Sequence, residues 1–376
     1  MERWWRSTVS GEARGAAGAL ARAALSALSL PYSLVMRGNL ALYQSGLRSR
    51  TQPALPVASV GNITLGGTGK TTATRRIARE LLARGIRPGV VLRGHMRSGQ
   101  QPQELISRGD GLLVEAAQAG DEAAMLAATC PGASIAVGKR RERVIELLED
   151  AGAQVALLDD GFQYFRMKRL IDLVLVDATF DLAAARVFPR GYLREPLDHL
   201  RRATHLLVTH SNLVADSHLR RLQSLLHDAA PDLPLMLSRH AATGFYWLDK
   251  PQELIAPGEF RGRDLLAMSA VGNPASFEGL LLQLGANVTA RCAFPDHHAY
   301  APSDWDEVEA ILRLRDAEAI VVTEKDAVKL PPAPEGLPPI AAVAVELEIT
   351  AHKESWDDLV GSIERAARQE PAPSEF

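Results

Sequence analysis

The 376-residue chain predicts an α/β protein: a P-loop NTPase-like α/β/α domain with a mainly parallel sheet, followed by a smaller C-terminal α/β domain. Three observations predict it. The apolar run from Pro56 to Val60 leads into GNITLGGTGKTT, residues 61–72, a short strand, a glycine-rich turn and a helix start, which is the layout of a phosphate-binding loop. β-Branched strands then alternate with amphipathic helices, the pattern of βαβ units and a parallel sheet. A Pro-rich stretch around Pro231, Pro234, Pro251 and Pro257 interrupts this alternation, which then resumes.

Composition bounds the reading. Hydrophobic residues at 47% and charged residues at 23% are ordinary for a soluble globular protein, and the length allows two sizeable cores. The net charge of −3 gives no pull toward nucleic acid. Two cysteines, Cys130 and Cys292, stand outside any metal-ligand spacing, so a reducing compartment without a disulfide framework is expected. The expected organisation is an N-terminal membrane-associated helical segment over 1–50, the P-loop domain over 51–240, the smaller α/β domain over 241–350, and a terminal helix and tail over 351–376.

Residues 1–50 are arginine-rich and lysine-free. Between Gly15 and Met36 an Ala- and Leu-rich stretch is interrupted by Arg22 and Pro31. About 20 uninterrupted apolar residues are needed to cross a bilayer, so an interfacial helix with arginines toward lipid head groups is one reading. An amphipathic helix packed on the domain is the other. No convincing cleavage site marks a secretory signal.

In the loop, Thr64, Leu65, Gly66, Gly67, Thr68 and Gly69 supply backbone N–H groups to phosphate, and the helix dipole adds to that nest. Lys70 reaches the terminal phosphates and the Thr71 hydroxyl holds Mg²⁺. The first glycine of the usual spacing is replaced by Thr64, and a Gly-rich hairpin before a helix is the structural alternative. The helix that follows places Ile77, Leu81 and Leu82 toward the sheet and its arginines outside, and ends at Gly85. A second strand at 89–92 runs into Arg93 and His95, where a ligand or solvent is met. Asp121 precedes a helix and reads as its N-cap. The basic cluster 139–141 is a solvated helix start or a phosphate contact.

Val155 to Leu158, ending on Asp159, has the Walker B layout, with a carboxylate at a strand tip for Mg²⁺. Further strands follow at 173–176 and 206–209. The loop 189–196 carries Arg190, Arg194 and Glu195, which suit a phosphate and metal site. In the C-terminal part, strands at 265–269 and 319–323 flank helices near 277–284 and from Ser303, whose Ser-Asp-Trp-Asp start supplies a cap. The adjacent His297 and His298 lack a third ligand for zinc.

GNITLGGTGKT, RGH, GDEA, DDGFQ, GYLREP, FPDHHAY and TEKDAVK occur in this order, and together they resemble the tetraacyldisaccharide 4′-kinase (lipid A 4′-kinase) family over roughly residues 30 to 330. The resemblance implies ATP- and Mg²⁺-dependent phosphorylation of the 4′-hydroxyl of a lipid A disaccharide 1-phosphate. It implies a peripheral or single-helix-anchored location at the cytoplasmic face of the inner membrane, and favours the interfacial reading of the N-terminal helix. The partners implied are the lipid-linked disaccharide and the membrane surface, with no obligate protein partner evident. It also implies a dyad in which Asp121 takes the hydroxyl proton and His297 orients it. Asp159, Asp160 and Glu195 match acidic positions near Mg²⁺, and Arg194 a residue near phosphate.

Ala123, Thr72, Tyr164 and His95 depart from the family's usual text, and none removes a group that this chemistry requires. Two rival classes remain. A nucleotide-dependent switch or metal-chaperone GTPase shares GGTGKT, yet Leu65 stands where dimeric ATPases of that branch carry a lysine, and N-K-x-D is missing. A non-catalytic membrane-surface protein is at odds with Asp121 and His297 both being present.

Overall fold

The computed structural model describes residues 2–369, apart from Ser10, Glu12, His95, Met96, Gln252, Asn273, Asp296 and His297, with residues 2, 3 and 6 described by their backbone. In chain order the elements begin with α1 (Glu2–Val9), α2 (Gly15–Gln44), β1 (Val57–Asn62), α3 (Lys70–Ala83), β2 (Pro88–Leu92) and β3 (Gln103–Ser107). Then come α4 (Ala116–Ala119), α5 (Asp121–Thr129), β4 (Ser134–Gly138), α6 (Arg141–Asp150), β5 (Val155–Asp159) and β6 (Ile171–Asp177). They continue with β7 (His205–Thr209), α7 (Asp216–Ala229), β8 (Leu235–Trp247), β9 (Asp264–Ser269), α8 (Pro274–Gln283) and β10 (Asn287–Ala293). The last are α9 (Asp304–Leu312), β11 (Ala319–Thr323), α10 (Glu324–Ala327), β12 (Ile340–Ala351) and α11 (Lys353–Arg368). Each strand and helix expected from the pattern is present near its expected place.

The chain forms two compact units, both discontinuous: Met1–Lys70, Val155–Arg239 and Ile349–Phe376 make one, Thr71–Gln154 and His240–Glu348 the other. In the first, β1 lies between β5 and β6 and is parallel to both. β7 pairs in parallel with β6, and the first residues of β8 with β7. Every residue of β1 is buried, as expected of a strand covered on both faces, which reads as a continuous apolar run. The register Val60↔Asp159 ends β5 two residues before the parallel β1 ends at Asn62, so the turn after β5 and the loop after β1 leave the same edge of the sheet. Gly61 permits this: a Cβ there would lie 2.5 Å from Phe162 Cβ and 2.8 Å from its backbone N. Phe162 instead packs with Ile63, Val174, Val176 and Val208 in the core of this unit.

The N-terminal stretch, whose apolar run Arg22 and Pro31 interrupt, forms one helix as expected: α2 is 30 residues long with Pro31 inside it, about 45 Å at 1.5 Å per residue. Gly18, Leu25 and Leu40 are its buried positions. Leu20, Leu28, Leu30, Leu34 and Val35 are exposed. The helix is long and apolar enough to cross a membrane by length and composition. Its docked face is polar and specific: Ser29 Oγ donates to the Val187 carbonyl at 2.9 Å, and the Tyr32 hydroxyl to that of Arg194 at 2.9 Å. From α1, Trp5 Nε1 donates to the Pro189 carbonyl at 2.7 Å.

In the second unit β2 pairs in parallel with β4, and β3 runs antiparallel on β4. β10, β9, β11 and β12 are adjacent in that order and parallel. Val90, Leu92, Leu126, Ile135 and Val137 pack one core, and Leu266, Met268, Trp305, Ile320 and Val322 another. On α3, Ile77 and Leu81 are buried as expected. Arg75 departs from the expectation that the arginines face outward. It is 2% exposed, with Nη1 3.0 Å from Glu324 Oε2 and Nη2 donating to the Val345 carbonyl. A buried cation is tolerated only when so paired. The Ser303 side chain makes no cap bond on α9. The carboxylate of Asp304 does that work from within, accepting the Ala301 N–H at 2.8 Å and pairing with His298 Nε2 at 2.8 Å.

Candidate active site

The phosphate loop is fixed from several sides. Gly66 and Gly69 take positive φ of +115° and +85°, the left-handed region that costs glycine nothing, and the space a Cβ would take at Gly66 and Gly67 is open. Asn62 Nδ2 donates to Thr68 Oγ1 at 3.1 Å, and the Thr209 hydroxyl to the Thr68 carbonyl at 3.1 Å. On the outer side the loop bonds segment 192–194: the Leu65 N–H to the Tyr192 carbonyl at 2.7 Å, and the Arg194 N–H to that of Ile63 at 2.8 Å. Thr64 and Leu193 form a bridge. Rigid backbone donors beside open space are what an anion site needs.

Three charged side chains meet at the edge of the same sheet. Asp160, with φ of +58°, stands just past the buried Asp159. Its carboxylate accepts from Arg194 Nη1 at 2.9 and 3.0 Å and lies 3.6 Å from Lys70 Nζ. Gln163 ties the group inward, its Nε2 donating to the Asn62 carbonyl and to Glu195 Oε1, both at 2.9 Å. Glu195 is fully buried. Its Oε1 also accepts from Arg202 Nη2 at 2.8 Å, and its Oε2 lies 2.7 Å from His199 Nδ1. Arg202 sits over the Phe162 ring, 3.3 Å from the centroid; burial pushes its guanidinium down to about 10 against the pull of Glu195 and Asp172.

In the other unit, Asp121 differs from its expected capping role. The N-cap of α5 is Gly120, at φ +87°, and Asp121 is the first helical residue. A carboxylate in the first turn is favoured by the helix dipole. Asp121 lines a depression with Leu92, Gly94, Gly120, Glu122 and Val137, and its Oδ2 lies 3.3 Å from Lys329 Nζ. Lys329 is also 3.4 Å from Asp326 Oδ1 and stands over the Tyr300 ring at 5.3 Å. Burial and the neighbouring Asp326 carboxylate push the Tyr300 phenol above its ordinary range.

A model of the tetraacyldisaccharide-1-P 4′-kinase family matches residues 21–364. The chain belongs to this family. It is 39% identical over 337 residues to the tetraacyldisaccharide 4′-kinase of Anaeromyxobacter dehalogenans strain 2CP-1, covering 88% of this chain and 85% of the relative. It is 34% identical over 304 residues to that of Desulfotalea psychrophila, covering 81% and 86%. The fold is also similar to the crystal structure of LpxK from Aquifex aeolicus in complex with ATP, with a TM-score of 0.71 and 25% identity, covering 92% of this chain and 99% of that one.

Against the residues expected for such a 4′-kinase, the structure groups Lys70, Asp160 and Arg194 directly and links Glu195 to them through Gln163. It separates the roles of the acids. Glu195, expected near Mg²⁺, accepts from Gln163 and Arg202 and pairs with His199, contacts that brace the Arg194 segment. Asp160 is paired with two cations, and among the described residues no three His, Cys, Asp or Glu side chains converge as a ready metal group. Thr71 and Asp159 offer hard oxygen donors, the type that Mg²⁺ takes. His297 and His95 lie outside the described residues. Gln163 and Lys329 were missed as site residues. Both lie in motifs quoted for the resemblance, but only the folded chain shows which charged groups they touch.

Proposed function

We propose that the chain transfers the γ-phosphoryl group of ATP to the 4′-hydroxyl of a lipid A disaccharide 1-phosphate at a membrane surface. The observation that carries this reading is the braced phosphate loop, with Lys70 and Arg194 gathered on Asp160, in a chain of the 4′-kinase family. The relatives named above are 4′-kinases, and the nucleotide-switch alternative is not retained.

The loop amides and Lys70 bind and neutralise the β- and γ-phosphates. Arg194, poised on Asp160, adds a charged donor for the same oxygens. Thr71 and Asp159 are the residues that would hold Mg²⁺, with Asp160 orienting the cations beside them. A Mg²⁺ ion held there would supply charge neutralisation to the phosphate group being transferred. In the transfer, the 4′-oxygen attacks the γ-phosphorus in line, the bond to the ADP oxygen breaks, and the hydroxyl proton passes to Asp121. His297 is the proposed partner that orients that hydroxyl. The exposed leucines of α2 support a position at the membrane, where an acyl-chain-bearing substrate would reside, and the expected site is the cytoplasmic face of the inner membrane.

Transfer of labelled γ-phosphate to the disaccharide 1-phosphate in mixed micelles tests this reading. The native chain is expected to transfer, and Asp121→Ala to lose roughly 10² or more of the rate, the scale of a lost general base. Undiminished transfer by Asp121→Ala would remove its role as proton acceptor, and no transfer by the native chain would remove the reading itself.

A further inference from the structure

We propose that Lys329 is a positioning residue for the phosphoryl acceptor: its ammonium fixes the Asp121 carboxylate and holds it ionised for proton abstraction. The inference rests on the reading of Asp121 given above. It begins with a conflict. A lysine side chain loses rotamer freedom when ordered, and a surface ion pair returns little. Lys329 is nevertheless only 11% exposed and shared between two carboxylates, Asp121 at 3.3 Å and Asp326 at 3.4 Å.

Asp326 explains where the lysine is held. It is fully buried at the start of the turn that carries Lys329, and its Oδ2 accepts the Ala270 N–H at 3.1 Å and the Thr323 hydroxyl at 2.7 Å. That hydroxyl oxygen in turn caps α10 by accepting the Asp326 N–H. A buried carboxylate with this support is immobile, and it anchors the ammonium from behind. The Tyr300 ring limits it from the side. What remains for Lys329 to reach is Asp121, at the edge of the depression lined by Gly94, Gly120 and Glu122.

Among the described residues, the charged groups on the elements packed against α5 can be named. Of the elements packed on α5, α4 and β4 carry no titratable side chain. On β3, Glu104 is taken by Arg97 Nη1 at 2.6 Å. On α10, Glu324 is taken by Arg75, leaving Lys325 and Asp326 beside Lys329. Arg79 bonds the Thr129 carbonyl at the other end of α5, and Glu122 is the next residue along. Lys329 is thus the cation in contact with the Asp121 carboxylate among the ion pairs described. An opposite charge at this distance favours the ionised form of a carboxyl. The proton acceptor therefore stays ionised to lower pH, and removing the ammonium moves the acid limb of the rate profile upward.

The test is the pH profile of kcat/KM for the lipid acceptor, with the full chain in mixed micelles and the variants Lys329→Gln, Lys329→Arg and Asp121→Asn. Expected for Lys329→Gln is a fall in kcat of roughly 10-fold or more, the loss expected when a general base is misplaced. Its acid limb should move up by about one pH unit or more, with the KM for ATP unchanged. Lys329→Arg should return the limb toward its native position. Asp121→Asn combined with Lys329→Gln should be no slower than Asp121→Asn alone, since the lysine acts through the aspartate. Lys329→Met, which keeps the stem and removes the ammonium, replaces the glutamine variant if that does not fold. An acid limb at the native pH in a folded, ammonium-free variant would overturn the proposal while leaving Asp121 as base. Full activity of Asp121→Asn would instead overturn the reading on which it rests.

Discussion

Arg75 shows how a residue that belongs to a solvated face by its type becomes part of a core. On α3, Ala73, Ile77 and Leu81 share one buried face, and Arg75 points away from that face, yet it is buried too. It is kept there by Glu324, which it meets at 3.0 Å and which is itself 10% exposed. The pair need not add net stability, since desolvation of both charges offsets their attraction. Breaking it is another matter, because a buried carboxylate is left without its cation. Arg75→Ala is expected to cost about 3 kcal/mol or more, read from the urea midpoint, while Arg75→Ala with Glu324→Ala should cost less than the two single losses added. Additive losses would show that the pair does not couple. Glu195 makes the same point in another setting. It is fully buried, and bonds from Gln163, Arg202 and His199 tie it to segments distant in the chain.

At the scale of elements, α2 has two faces with different tasks. Ser29 and Tyr32 bond the segment 187–194, which in turn bonds the phosphate loop through Tyr192 and Arg194. The opposite face shows leucines to solvent. Burying a leucine side chain releases roughly 1.5–3 kcal/mol, enough for several together to hold the helix in an interface. Leu28→Asp with Leu34→Asp is expected to lower binding to phospholipid vesicles at least 10-fold in co-sedimentation, without change in ATP affinity. Equal sedimentation of variant and native chains would assign the membrane contact elsewhere. Neither substitution touches the bonds of Ser29 or Tyr32, so the loop contacts should survive.

At the scale of the molecule, the residues proposed for nucleotide and for acceptor are supported independently. Lys70 is held by the β1–β5 edge through Asp160, whereas Asp121 is held by α10 and its flanking turn through Lys329. The two functions should therefore separate. A saturating ligand at 100 times its Kd stabilises a folded protein by about 2.7 kcal/mol. Mg-ATP is expected to raise the Tm of Asp121→Ala as much as that of the native chain, and that of Lys70→Ala far less. Loss of the ATP shift in Asp121→Ala would tie the aspartate to nucleotide binding instead.

Periodicity and glycine placement were enough for the sequence to determine the phosphate loop and the main strands and helices around it, and the ordered motifs from GNITLGGTGKT to TEKDAVK carried the resemblance to the family. Those signals are local: β-branched runs fix strands, and a glycine-rich turn between a strand and a helix has few other uses. The local reading failed where a side chain's partner is distant in the chain. Asp121 was expected to cap α5 because an aspartate before a helix usually does, but one residue of register and Lys329, 208 positions away, gave it other work. The tertiary structure alone decided that Arg75 is buried, that Glu195 braces and that Asp160 gathers Lys70 and Arg194. The energy of a charge depends on the burial and countercharges around it, and these are set by packing between remote segments.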